Sequence, residues 1–245
     1  MKLHLFLTVA VMLSAASLSA QTTSSAPTAQ ITGAALIPAT RANPTNWMSR
    51  HLKFVAQAKR GGIDILFLGD SITDFWRTRG SNVWNQYYAP RHAANFGISG
   101  DRTQHVLWRI ENGELDGIHP KVTVLMIGTN NSKSDSAEDI SKAIGMIIDD
   151  IHSKIPDTKI LLLAIFPRNT PKDTPESLGT IAEVNNQIET YDNGDTVRFL
   201  DIGSKFLGPD GKVHKDVMAD YLHPTEKGYK IWAAAMEPTL EAMLK

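Results

Sequence analysis

Four short apolar runs, Ile63–Leu68, Val122–Ile127, Ile160–Phe166 and Val197–Ile202, constrain the fold more than any other feature of the chain. Each is predominantly apolar and suited to a strand covered on both faces. A weaker run, Ala93–Phe96, lies between the first two. The intervening segments carry a helical period. Ile140, Ile144, Ile147, Ile148 and Ile151 fall on one helix face, and similar patterns cover Trp47–Lys59, Thr103–Glu111, Ser177–Tyr191 and Thr225–Leu244. Strands alternating with helices, without internal repeats, predict an α/β fold: a three-layer α/β/α sandwich around a central, mainly five-stranded parallel sheet.

With 245 residues, of which 42% are hydrophobic and 21% charged, the chain can bury one substantial core. The catalytic-sized domain is expected over residues 46–245, after a Thr/Ser/Ala/Pro-rich lead-in at 21–45 in which Leu36 and Ile37 could touch it. The first twenty residues, MKLHLFLTVAVMLSAASLSA, have the layout of a secretory signal: a lysine, an apolar stretch shorter than a membrane span, and small residues up to Ala20. They predict a secreted or periplasmic protein with no stable membrane span in its mature chain. The net charge of −1 and the lack of a Lys/Arg cluster argue against a nucleic-acid partner. The absence of cysteine excludes disulfides, thiolate metal sites and a cysteine nucleophile.

In a parallel sheet the ligand sits beyond the carboxyl ends of the strands. Three polar clusters fall there: Gly69-Asp70-Ser71, Gly97-Ile98-Ser99-Gly100 and Gly128-Thr129-Asn130-Asn131. Ser71, at a strand-to-helix turn, reads equally as an exposed nucleophile and as the cap of the next helix, since Ser71-Ile72-Thr73-Asp74 fits a capping box. A base for such a nucleophile is offered by Asp220-Tyr221-Leu222-His223-Pro224, where Asp220 can accept from Nδ1 of His223 and leave Nε2 facing outward. The proline is positioned to start the last helix. The Ser71 amide, the Gly100 backbone and the Asn130 side chain are candidate donors to an oxyanion; the glycines and Asn130 also suit ordinary turns.

The ordered blocks GDSIT at 69–73, NFGISGDRTQHVLWRIENGEL at 95–115, PKVTVLMIGTNN at 120–131 and DYLHPT at 220–225 make the resemblance specific. Over roughly residues 46–242 the chain resembles the SGNH hydrolases, or GDSL esterase/lipase family, and most of all its platelet-activating-factor acetylhydrolase alpha-subunit-like branch with bacterial members. That resemblance implies a flavodoxin-like fold, Ser71 as nucleophile, Asp220 and His223 as the rest of a triad, and an oxyanion hole made by the Ser71 and Gly100 amides with Asn130. It implies no cofactor and is compatible with a homodimer. Asn131 stands where many members carry an acid, and Ser99 where that branch often has glycine. A Gly-x-Ser-x-Gly elbow is absent.

Asp70, Arg102 and Arg168 are candidate substrate-binding residues, although both arginines also read as solvated or salt-bridged surface groups. The polar, Pro-punctuated segment RNTPKDTPE at 168–176 is too short for a large lid, which favours an open site. The expectation is a serine esterase acting on short-chain, chiefly acetyl, esters of small molecules or carbohydrates. A long-chain lipase, lysophospholipase or thioesterase of the same fold and a non-catalytic binding module are the alternatives.

Overall fold

The computed structural model describes Met1, residues 33–42 and residues 44–245. The expected signal segment, apart from Met1, and the earlier part of the lead-in lie outside the described residues. Five parallel strands form the sheet: β1 (Ile65–Gly69), β2 (Ala93–Gly97), β3 (Val122–Met126), β4 (Lys159–Leu163) and β5 (Val197–Leu200), in the order β2-β1-β3-β4-β5. All five expected runs form strands, with ends shifted by up to three residues. Gly69 pairs with Gly97 on one side and Met126 on the other, so the first three strands end level with one another.

Among the described residues seven α-helices surround the sheet: α1 (Thr45–Arg60), α2 (Ser71–Asp74), α3 (Ser81–Tyr87), α4 (Thr103–Arg109), α5 (Ala137–Lys154), α6 (Pro175–Glu189) and α7 (Glu226–Met243). Strand alternation divides the core into two halves. Leu66, Leu68, Leu125, Ile160 and Leu162 pack with residues of α1, α4, α5 and α6, including the isoleucines 140, 144, 147, 148 and 151. Ile65, Phe67, Val124, Leu161 and Leu163 pack with Val83 of α3 and with Tyr229, Trp232, Met236 and Leu240 of α7. Trp76 is fully buried in this second half, while Trp84 and Trp108 are partly buried against the two halves.

Two local expectations change. The last helix is capped by Thr225, whose hydroxyl accepts the Gly228 amide at 3.2 Å, so Pro224 precedes the cap. Residues 33–42, part of the stretch expected as a loose lead-in, form a strap docked on the domain. Ala35 and Leu36 are buried there, whereas Ile37 is exposed. Thr103 Oγ1 donates to the Ala35 carbonyl at 2.9 Å, and the Ala39 amide donates to the Gln104 carbonyl at 3.1 Å. Among the described residues no helix is long and apolar enough to cross a membrane.

Candidate active site

At the end of β1 the chain has room only for glycine: a Cβ on Gly69 would meet the Met126 carbonyl and Thr73 Oγ1. The turn that follows settles one alternative. Asp70, not Ser71, caps α2, its carboxylate accepting the Ile72 amide at 2.9 Å. Ser71 is the first helical residue, and its hydroxyl is free of capping. Asp70, read from sequence as a substrate-binding candidate, is 1% exposed and is occupied in shaping the turn. Burial pushes its carboxyl up to about 7, against the opposing pull of the Ile72 amide.

Ser71 meets His223 across 152 residues of sequence, with Oγ lying 2.9 Å from Nε2. His223 Nδ1 lies 2.8 Å from Asp220 Oδ2. Asp220 also accepts through Oδ1 from the amides of His223, at 2.8 Å, and Leu222, at 3.3 Å. Partial burial would raise the Asp220 carboxyl, but the His223 amide and ring, the His223 charge and Arg79 hold it below the usual carboxylate range. An ionised Asp220 makes Nδ1 the protonated nitrogen, leaving Nε2 to accept from the serine hydroxyl. The tight turn requires a left-handed Tyr221, φ 61°, an uncommon conformation for an aromatic residue. Phe75 lies against the His223 ring, with centroids 4.9 Å apart.

The second polar cluster forms a turn closed by the Asp101 amide donating to the Ile98 carbonyl at 3.1 Å, with Gly100 at φ +82°. That pattern belongs to a type II turn, whose third position favours glycine. Asp74, at the end of α2, fastens this turn to the helix that starts at Ser71: its Oδ2 accepts the Ser99 amide at 3.1 Å and the Ser99 hydroxyl at 2.7 Å. Burial would raise the Asp74 carboxyl, but Arg50, Ser99 and Arg77 bring it below its ordinary value. The third cluster joins from the other side. Asn130 Nδ2 donates to the Asp101 carbonyl at 2.8 Å, and the buried Asn131 accepts the Thr103 amide at 3.1 Å.

The two arginine candidates separate. Arg102 is half exposed and donates to Ser134 Oγ at 3.1 Å. Arg168 is 8% exposed and donates to the Thr129 carbonyl and hydroxyl, both at 3.0 Å, and to Asp173 at 2.6 Å. It shares the wall of a cavity of about 400 Å³ with Asn130, Lys133, Thr170 and Asp220, beside the serine–histidine pair. Asp74, Arg41 and Arg79 escaped the sequence reading. Arg79 lies 5.0 Å from the Phe75 ring centroid and 3.8 Å from Asp220 Oδ2, and Arg41 donates to the Ser99 carbonyl at 2.7 Å. These roles depend on tertiary contacts: Asp74 falls within the Ser71–Asp74 capping pattern, which gives no sign of its bonds to Ser99, and Arg41 and Arg79 lie in no recognisable spacing pattern. Among the described residues no group of three or more His, Cys, Asp or Glu side chains is arranged to hold a metal ion.

Comparison with known proteins agrees with this geometry. A profile of the GDSL-like lipase/acylhydrolase family matches residues 67–231, more than half of the chain. The chain is 38% identical over 184 residues to platelet-activating factor acetylhydrolase IB subunit alpha2 of Homo sapiens, covering 75% of this chain and 78% of that protein. It is 34% identical over 203 residues to the human alpha1 subunit, covering 81% and 84% respectively. Among solved structures, a GDSL-like lipase of Bacteroides thetaiotaomicron shares the fold with a TM-score of 0.64 at 19% identity, over 82% of this chain and 98% of that one. A catalytic mutant of an acetylxylan esterase from Geobacillus stearothermophilus shares it with a TM-score of 0.54 at 19% identity, over 75% and 94%. The chain thus belongs to the GDSL-like lipase/acylhydrolase family, as a carboxylic ester hydrolase of the SGNH type.

Proposed function

We propose that this chain hydrolyses short-chain, chiefly acetyl, esters through an acyl-enzyme on Ser71. The observation that carries the reading is the unbroken hydrogen-bonded chain from Ser71 Oγ to His223 Nε2 at 2.9 Å and from His223 Nδ1 to Asp220 at 2.8 Å. His223 takes the serine proton as Oγ attacks the ester carbonyl, and Asp220 holds the ring in the required tautomer and steadies the imidazolium. The Ser71 and Gly100 amides and the Asn130 side chain stabilise the oxyanion. His223 then protonates the departing alcohol and activates the water that releases the acid.

The relatives support a short acyl group, and the cavity beside the pair supports a hydroxyl-rich alcohol. Relatives that share 34% and 38% of their aligned residues with this chain are named acetylhydrolases. The cavity beside the pair presents Asn130, Lys133, Arg168, Thr170 and Asp220 alongside the apolar Pro171 and Leu222, and the former offer hydrogen bonds to a hydroxyl-rich alcohol. An acetylated carbohydrate fits that lining. Residues 1–20 support action outside the cytoplasm, tested by the N-terminal sequence of the exported protein.

Hydrolysis of para-nitrophenyl esters from acetate to palmitate tests the proposal. Turnover is expected to be greatest for acetate, to fall with chain length, and to drop by about 10⁴-fold or more in Ser71→Ala and His223→Ala. A preference for palmitate would contradict the short-chain reading, and full activity in Ser71→Ala would remove the nucleophile.

A further inference from the structure

The strap that precedes the first helix carries Arg41 onto the Gly100 turn. Its Nη1 donates to the Ser99 carbonyl at 2.7 Å, and a Cβ on Gly100 would stand 2.8 Å from its Nη2 and 3.3 Å from its Cζ. The guanidinium therefore lies directly against the Gly100 Cα. The positive φ disfavours any side chain at Gly100, and one placed there would displace the Arg41 guanidinium. The strap is anchored independently of this contact, through buried Ala35 and Leu36 and through the hydrogen bonds of Ala35 and Ala39 to α4.

The Ser99 carbonyl and the Gly100 N–H belong to one peptide unit. That unit is trans, so its C=O and N–H point to opposite sides. In the turn it is the central peptide, outside the closing bond between Asp101 and Ile98. Among the described residues no protein acceptor takes the Gly100 N–H. A cation donating to the carbonyl draws electron density through the peptide and makes its N–H a stronger donor, as linked hydrogen bonds polarise one another. The Arg41 field reaches this turn: it opposes the upward shift that burial gives Asp101, and with Arg102 and Arg109 it adds to the burial that pushes His105 down to about 4.

We propose that Arg41 is a positioning residue for the oxyanion hole, fixing the Ser99–Gly100 peptide and strengthening the Gly100 N–H by charge-assisted hydrogen bonding to the carbonyl on its far side. The inference rests on the proposed role of Gly100 as an oxyanion donor. Since charge develops on the substrate oxygen only in the transition state, the effect belongs in kcat and not in substrate binding. Asp74 completes the clamp from within the domain by holding the Ser99 N–H and hydroxyl.

The test measures kcat and KM for para-nitrophenyl acetate in the parent, Arg41→Ala, Arg41→Lys and Ser71→Ala, together with thermal unfolding of each. Complete loss of a donor costs roughly 10²–10³ in turnover, so weakening one is expected to lower kcat about tenfold in Arg41→Ala, with KM within about twofold. Arg41→Lys is expected to recover most of the loss, as is guanidinium ion added to Arg41→Ala at tens of millimolar. An unchanged kcat in Arg41→Ala would overturn the inference. So would a loss that tracks a lowered unfolding midpoint and is rescued by neither lysine nor guanidinium. If Ser71→Ala keeps activity, the serine mechanism fails; if Ser71→Ala is inactive while Arg41→Ala is not impaired, only the inference about Arg41 fails.

Discussion

The capping carboxylate of Asp70 gives the fold a pH dependence at a single residue. Its carboxyl is pushed up to about 7 by burial, from an ordinary value of 3.8, so the folded chain binds a proton that the unfolded chain has already released. Stability from this group is complete below about pH 4 and declines as pH rises through the window up to about 7. Asp101, pushed by burial to about 6, adds a dependence of the same sign. Asp70→Asn keeps an oxygen for the Ile72 amide and removes the ionisation. It is expected to stabilise the protein at pH 8 by at most about 4 kcal/mol relative to its effect at pH 4, measured by urea unfolding at both pH values. A stability difference independent of pH would contradict the assignment. The residue scale also shows what a linear sequence can reveal. Ser71, Asp220 and His223 were legible because chemistry restricts them to few residue types in recognisable blocks. Arg41, Asp74 and Arg79 were not, because each acts through a tertiary contact that any suitably placed charge could make. The capping role of Asp70 was not legible, since its neighbour Ser71 satisfied the capping pattern.

At the scale of elements, the site depends on how closely α2 approaches the sheet. Gly97, the last residue of β2, faces the start of that helix: a Cβ there would meet the Asp74 amide nitrogen and stand 2.8 Å from the Thr73 carbonyl carbon. Both obstacles are backbone, so no side chain can swing aside. Gly97→Ala is expected to cost about 2–3 kcal/mol in urea unfolding and to lower esterase turnover by displacing Ser71 and the Asp74 clamp together. Unchanged stability and turnover would show that α2 has room to move. Strands β1, β3 and β4 were readable because burial on both faces demands near-continuous apolar runs, whereas β5, expected to be covered on both faces, lies at the sheet edge with Arg198 exposed. The short helix α3, SNVWNQY, was not, because seven residues with Val83 as their only fully buried side chain give too little periodicity. The strap at 33–42 was concealed differently: its composition is that of a linker, and its order comes from Ala35, Leu36 and a few hydrogen bonds to α4.

Across the whole molecule, the sheet order β2-β1-β3-β4-β5 brings the ends of β1, β2 and β3 side by side, and the two halves of the core hold that rim from opposite faces. Behind the Gly100 turn lies a buried ionic network. Arg109 Nε lies 2.9 Å from Asp101 and its Nη1 2.5 Å from Glu114, while His51 Nδ1 lies 2.9 Å from Glu114 and Trp47 Nε1 donates to Asp101 at 2.7 Å. These partners come from α1, α4, the segment following α4 and the turn itself, so the turn is tied to elements far from the chemistry. The last strand-to-helix connection then brings His223 to Ser71. The most direct test of that arrangement is covalent labelling of the intact protein with a fluorophosphonate, which reacts with an activated serine, followed by peptide mass mapping. A single adduct at Ser71, lost in His223→Ala and blocked by prior addition of an acetyl ester, is the predicted result. An adduct on another residue, or no adduct from a preparation that hydrolyses esters, would contradict the serine mechanism.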